Sequence, residues 1–306
     1  MIAYNRGMAL RKLVVGMDFS PGAEVAARRA GEIAAKHGAE IVLVHATTVP
    51  QRPEVPTSMA ATADALVKVL DDRLAAERDQ LGAVRERLAA TSGVTVSTLV
   101  VDEYPDDALV DAASQLGADL VVTGTREKGL LRRWLLGSTA EHVVRRAEAS
   151  VLVARPGDPD HGFSRVVVGT DFSPGATIAL ARAVELAQPG AVLDLVHCLH
   201  HPMFRPVPGV DPVLADDYKD FLSQLVGDAH ARLEEAAREH AVANVQFRFH
   251  VVEDQPREAV CDLAEKVKAD LVAVGSHGRR GLRRLVLGSV AEATVRHAPC
   301  SVLVAR

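Results

Sequence analysis

The strongest constraint on this chain is an internal duplication. The segment LVVGMDFSPGA, Leu13–Ala23, recurs as VVVGTDFSPGA, Val166–Ala176, at an offset of 153 residues. The 38 residues Ala118–Arg155 align without gaps to Ala269–Arg306, and 22 of those pairs are identical, including SVLVAR at both ends. Between these anchors GAEIVLVH (Gly38–His45) pairs with GAVLDLVH (Gly190–His197), and VVDEYP pairs with VVEDQP. Offsets of this size duplicate a whole domain rather than a short solenoid unit. The polar stretch RPGDPDHG reads as the linker. It sets domain one at 1–156 and domain two at 163–306.

Each copy alternates strand and helix. In the second, the Val run from Arg165 to Gly169 suits a strand buried on both faces. Ser173-Pro174 then opens a helix, Ser as N-cap and Pro at the first position. That helix is expected to run to about Gln188, where Pro189-Gly190 stops it, with strand two over Ala191–Cys198. A Pro-rich connection, a long amphipathic helix, and two further strand–helix pairs lead to a closing strand at Ser301–Ala305. This order implies a parallel sheet with helices on both faces and right-handed crossovers. Ligands of such sheets bind beyond the carboxyl ends of the strands, at the switch point. The loops after strands one and four therefore matter most.

Composition excludes several functions. Hydrophobic residues at 48 % and charged residues at 25 % describe a soluble globular protein with ample core. A net charge of -5 argues against a general nucleic-acid or anionic-membrane surface. No apolar run approaches the roughly 20 residues that cross a bilayer, and the start lacks a secretory pattern. Cys198, Cys261 and Cys300 form no CxxC pair and fit a reducing cytoplasm.

After strand four the second copy reads GSHGRRGLRRLVLGS, Gly275–Ser289. Gly275 and Gly278 would let backbone amides approach an anion with no Cβ in the way. Gly288-Ser289 opens the next helix, whose unpaired N–H groups and dipole favour phosphate, with the Ser hydroxyl as a further donor. Arg279, Arg280, Arg283 and Arg284 add positive charge. A Gly-rich loop alone is a weak signal, and the arginines equally suit a solvated loop.

The spacing G-x2-G-x9-G-S, carried by Gly275, Gly278, Gly288 and Ser289, resembles the nucleotide signature of ATP-binding universal stress proteins. An aspartate after strand one and the closing SVLVAR agree, and the resemblance spans essentially the whole chain, twice. It implies two tandem, open, five-stranded parallel sheets of the adenine nucleotide alpha hydrolase-like, Rossmann-like class, with strand order 3-2-1-4-5. It also implies a site. Gly169, Thr170 and Asp171 would meet the adenine and ribose, and Cys198 would line the adenine pocket. Val274, Gly275, Ser276, His277, Gly278 and Arg279 would follow the ribose and α-phosphate. Gly288, Ser289 and Val290 would hold the distal phosphates. A Mg²⁺ ion bridging phosphates near Asp171 is an alternative, with one carboxylate a thin ligand set.

The first copy departs from this pattern. It reads GTREKGLLRRWLLGS, with Glu127 where the second glycine should stand. Asp18, Gly124, Gly137 and Ser138 remain, and Arg126 and Lys128 are available to compensate. The expectation is weak or absent nucleotide binding there, by sterics and like charge. Other candidates have plainer readings. The aspartates could simply cap a turn. Arg132 and Arg133, like Arg283 and Arg284, could be phosphate ligands or a solvated loop, and Trp134 could cover an apolar surface or sit at a subunit contact. His197, His200 and His201 with Cys198 make an unconvincing metal cluster.

In the family the closing strands pair across a two-fold axis, so the two copies would form a pseudo-dimer within one chain, with further homodimerisation open. Three functions compete. The first is an ATP-binding regulator of stress survival or dormancy with an unidentified protein partner. No Walker lysine, paired carboxylates or positioned base is visible, so hydrolysis would be slow at most. The second is an interaction protein with a relic site. The third, an adenylyl-transferring enzyme, lacks the His-x-Gly-His expected near the first loop.

Overall fold

The computed structural model describes residues 9–47, 60–125, 137–156, 162–199, 212–240, 244–278 and 287–306. The chain divides into two compact units, Met1–Pro156 and Gly157–Arg306. Unit one runs β1 (Lys12–Gly16), α1 (Pro21–His37), β2 (Glu40–Ala46), α2 (Ala60–Ser92), β3 (Val96–Val101), α3 (Pro105–Leu116), β4 (Leu120–Gly124), α4 (Ser138–Arg146) and β5 (Ser150–Ala154). Unit two repeats the plan with β6 (Phe163–Gly169), α5 (Pro174–Leu186), β7 (Ala187–Cys198), α6 (Pro212–Glu239), β8 (Gln246–Val252), α7 (Pro256–Val267), β9 (Leu271–Gly275), α8 (Ser289–His297) and β10 (Ser301–Ala305).

Within unit one the strands lie in the order β3-β2-β1-β4-β5, and within unit two β8-β7-β6-β9-β10. Neighbouring strands in each unit are parallel. The order 3-2-1-4-5 therefore holds in each. The Val-rich strands are covered on both faces: Leu13, Val14 and Val15, and Val166, Val167 and Val168, are fully buried. The order reverses between β1 and β4, and between β6 and β9, so the loops leaving those strands flank a crevice at their carboxyl ends.

Both first helices begin as their sequence dictates. Ser20 and Ser173 adopt extended backbone, and their hydroxyls accept from Ala23 N–H and Ala176 N–H. Pro follows at N1 in each. The ends differ. Gly38 caps α1 in the left-handed region at φ 66°. Helix α5 stops at Leu186, earlier than the expected Gln188, and β7 already begins at Ala187. The residue before a proline is pushed out of the helical region, so Pro189 denies Gln188 a helical place. The register of β7 against β6 shifts between Phe163, which pairs with Ala187, and Arg165, which pairs with Val192.

One long-range tie, unread in the sequence, fixes where each first strand starts. The Asp119 carboxylate accepts from Arg11 N–H at 2.8 Å and Lys12 N–H at 3.0 Å. Its counterpart Asp270 accepts from Ser164 N–H at 2.7 Å, the Ser164 hydroxyl at 2.7 Å and Arg165 N–H at 3.0 Å. These are charge-assisted bonds to amides at the sheet's amino edge, and Asp270 is only 8 % exposed. Asp270→Ala should lower the stability of unit two by about 2 kcal/mol, with Asp270→Asn milder. Urea unfolding followed by circular dichroism checks this, and an unchanged midpoint contradicts it.

Candidate functional site

The crevice is built from two loops. The first leaves β6 through Thr170 and Asp171. Thr170 Oγ1 accepts from Phe172 N–H at 3.0 Å, and Asp171 Oδ1 accepts from Ser173 N–H at 3.0 Å. Together they turn the chain so sharply that Phe172 sits at φ 60°. That conformation costs a non-glycine residue roughly 1–2 kcal/mol. Unit one repeats it: Asp18 Oδ1 accepts from the N–H and hydroxyl of Ser20, and Phe19 also has φ 60°. Both aspartates thus cap the turn through Oδ1.

The second loop follows β9. A Cβ on Gly275 would lie 2.6 Å from the Gly175 carbonyl carbon and 3.0 Å from Ala176 N. A Cβ on Gly175 would lie 2.8 Å from His277 O. Gly22 and Gly124 collide in the same way in unit one. The first motif glycine thus has a packing reason that the sequence did not disclose. Gly275 and Gly124 are required by backbone contact with the first turn of α5 and α1, whatever they do for an anion.

Gly278 has a different neighbour. A Cβ there would fall 2.7 Å from Asp171 Oδ2, so the second motif glycine makes room for the aspartate of the other loop. Gly288 closes the group. Its N–H donates to Ser276 O at 2.8 Å, and its own Cβ would meet that oxygen at 3.2 Å. The expectation of an unpaired amide at Gly288 is therefore corrected, and the available amides are those of Ser289 and Val290 at the start of α8. The Ser289 side chain is exposed and Val290 is half-buried. Ser276 is buried, its N–H donating to Ala305 O at 3.0 Å and its hydroxyl 3.0 Å from His277 Nδ1. His277 Nε2 is buried and has no hydrogen-bond partner among the described residues.

Asp171, Gly275, Ser276, His277, Gly278 and Gly288 are thus brought together as expected. Gly169 and Val274 lie side by side beneath them, a Gly169 Cβ falling 3.3 Å from Val274 Cγ1. Arg279 and the other loop basics Arg280, Arg283 and Arg284 lie outside the described residues. So do Arg126, Glu127, Lys128, Arg132, Arg133, Trp134, His200 and His201. Among the described residues no group of His, Cys, Asp and Glu could hold a metal ion, and no helix is long and apolar enough to cross a membrane.

The matching crevice of unit one holds a cleft of about 120 Å³. Its polar wall is Asp18, Gly124, Thr125 and Gly137, and its apolar floor is Val44, Ala46 and Leu109. Ser138 does not line it. Thr125 is 2 % exposed and its hydroxyl lacks a partner among the described residues. By the repeat, Ala46 corresponds to Cys198 and Thr123 to Val274, which supports both as wall positions. The floor contributed by Leu109, and by Pro105 at the start of α3, was not anticipated. Its signal was the repeated VVDEYP and VVEDQP, which bring Pro256 and Val260 to the same places in unit two.

The description "Universal stress protein family" belongs to the family whose sequence profile matches residues 9–155 and again 162–306. The chain belongs to this family. It is 30 % identical over 305 residues to a universal stress protein of Mycobacterium tuberculosis, covering 96 % of each chain. A universal stress protein of Mycolicibacterium smegmatis is 32 % identical over 298 residues, again at 96 % of each. The crystal structure of a universal stress protein from Archaeoglobus fulgidus superposes with a TM-score of 0.68 at 19 % identity, covering 96 % of this chain and 98 % of that one, a likeness of fold.

In this universal stress protein Cys198 is a half-buried free thiol. Burial, and then the nearby Asp254 carboxylate, push its pKa up to about 11. Thiolate is therefore scarce at neutral pH and grows as pH rises. Alkylation of Cys198 by iodoacetamide should be far slower than that of a free thiol at pH 8, and should accelerate roughly tenfold per pH unit toward 11. Site-resolved mass spectrometry checks it, and free-thiol rates at pH 8 would contradict it.

Proposed function

We propose that unit two binds an adenine nucleotide, ATP, and that the chain is a nucleotide-responsive regulator in stress survival or dormancy. The observation that carries this is the meeting of Asp171 with Gly278 over the switch point, next in the chain to His277, whose buried Nε2 has no partner among the described residues. A carboxylate accepts from ribose hydroxyls or a base amine. The buried imidazole nitrogen is a polar atom that needs a partner, and a ligand can supply one. The first amides of α8, with the Ser289 hydroxyl, offer donors for distal phosphates. The apolar wall, with Cys198 and Val260, suits the flat face of a base.

Mg²⁺ would arrive with the phosphates. Asp171 alone is a thin set, and one of its oxygens already serves Ser173. The described residues of the crevice present no paired carboxylates and no base aimed at a water, so turnover would be slow at most.

Unit one is the weaker site in this reading. Glu127 stands where Gly278 does. In unit two a Cβ at position 278 would press on the Asp171 carboxylate, and a glutamate side chain carries a further negative charge that disfavours an anion. The Thr125 hydroxyl, without a partner among the described residues, favours some ligand there, and the stoichiometry of binding decides the matter.

Calorimetric titration of nucleotide-stripped protein with ATP, with and without Mg²⁺, tests both points. One site per chain is expected, and Gly278→Glu should abolish it while circular dichroism stays unchanged. Two sites would overturn the reading of unit one. No binding would overturn the proposal and favour the interaction-protein reading instead.

A further inference from the structure

We propose that the histidine near the end of each second strand, His197 in unit two and His45 in unit one, is a positioning residue that clamps the aspartate loop of its crevice. The proposal rests on the nucleotide reading for its effect on affinity, but the clamp itself is a property of the ligand-free protein.

The geometry is the same twice. His197 Nδ1 lies 2.8 Å from Thr170 O, and His45 Nδ1 lies 2.7 Å from Met17 O. A backbone carbonyl only accepts, so Nδ1 carries the proton in both. The N–H of the same residue donates into the sheet, Thr170 to Val196 O and Met17 to Val44 O, each at 2.9 Å. Residue 170 is thus held at both ends. Its carbonyl and the nitrogen of Asp171 share one rigid peptide plane, so fixing the oxygen fixes the start of Asp171.

The same imidazole reaches the other side of the aspartate. Its ring packs on Phe172 with centroids 4.4 Å apart and planes tilted by 39°, and His45 packs on Phe19 at 4.7 Å and 45°. These phenylalanines are the residues at φ 60°. One buried ring therefore holds both neighbours of Asp171, by a hydrogen bond before it and a ring contact after it. The long helices back the clamp from behind. Arg232 of α6 stacks over Phe172 at 3.9 Å, and Glu77 of α2 stands 3.4 Å from His45 Nε2.

Asparagine can place an amide N–H where Nδ1 stands, without the ring. Leucine supplies neither donor nor ring. His197→Leu should weaken ATP binding about tenfold, the loss of one buried hydrogen bond and its orientation, while His197→Asn should recover most of it. Hydrogen exchange of Phe172 and Ser173 amides in the ligand-free protein should quicken in His197→Leu and quicken clearly less in His197→Asn, which keeps the hydrogen bond but not the ring contact. Unchanged exchange in His197→Leu would overturn the clamp, whether or not wild type binds ATP. So would an Asn variant no better than Leu in both readouts. A wild type that fails to bind ATP, with exchange responding as expected, would sink the nucleotide reading and leave the clamp standing.

Discussion

The crevice of each unit depends on one backbone-to-backbone contact. Where the first helix starts, Gly22 or Gly175 lies against Gly124 or Gly275 at the end of the fourth strand, with no space for a Cβ on either side. Two glycines facing each other let the first turn of α5 settle onto the loop after β9. That approach brings the aspartate loop and the glycine loop within reach. With one methyl group between them the loops would separate, and Asp171 would no longer stand beside Gly278. The cost of overpacking at such a place is about 1–3 kcal/mol, and the cost to the site would be its geometry.

Given that contact, the aspartate is held from several directions. Its own Oδ1 closes the turn onto Ser173, and the following phenylalanine accepts a left-handed backbone. Strain of this kind persists where the surroundings over-determine it. The repetition of Phe19 and Phe172 at the same φ in two diverged copies shows that the arrangement belongs to the turn rather than to one local accident. What differs between the units lies next to this shared frame: Ala46 against Cys198 in the wall, Thr125 against Ser276, and Glu127 against Gly278 in the sequence.

The fold was legible because its signals are periodic. Valine runs, Ser-Pro helix starts and the duplication itself specify alternating strands and helices, and the switch-point rule then points to the right loops. Spacing singled out Gly275, Gly278 and Gly288, and of these Gly278 lies against the Asp171 carboxylate while Gly288 lies against Ser276. The reasons for these glycines were not legible. That Gly275 serves helix packing depends on Gly175, some hundred residues earlier, and no local pattern encodes such a pair. The Asp119 and Asp270 ties to the first strands, and the histidine contacts to Thr170 and Met17, are likewise long-range. The early stop of α5 was readable in principle, because Pro189 acts on Gln188 as well as on itself.

In the proposed function, ligand recognition is concentrated where the two loops of unit two meet. Amide chemical shifts of the labelled protein, followed through an ATP titration, test it directly. The largest changes should fall at Thr170–Ala176, Gly275–Gly278 and Ser289–Val290, with the counterpart segments of unit one changing little. Large changes confined to other surfaces, or spectra that do not respond to ATP, would contradict it.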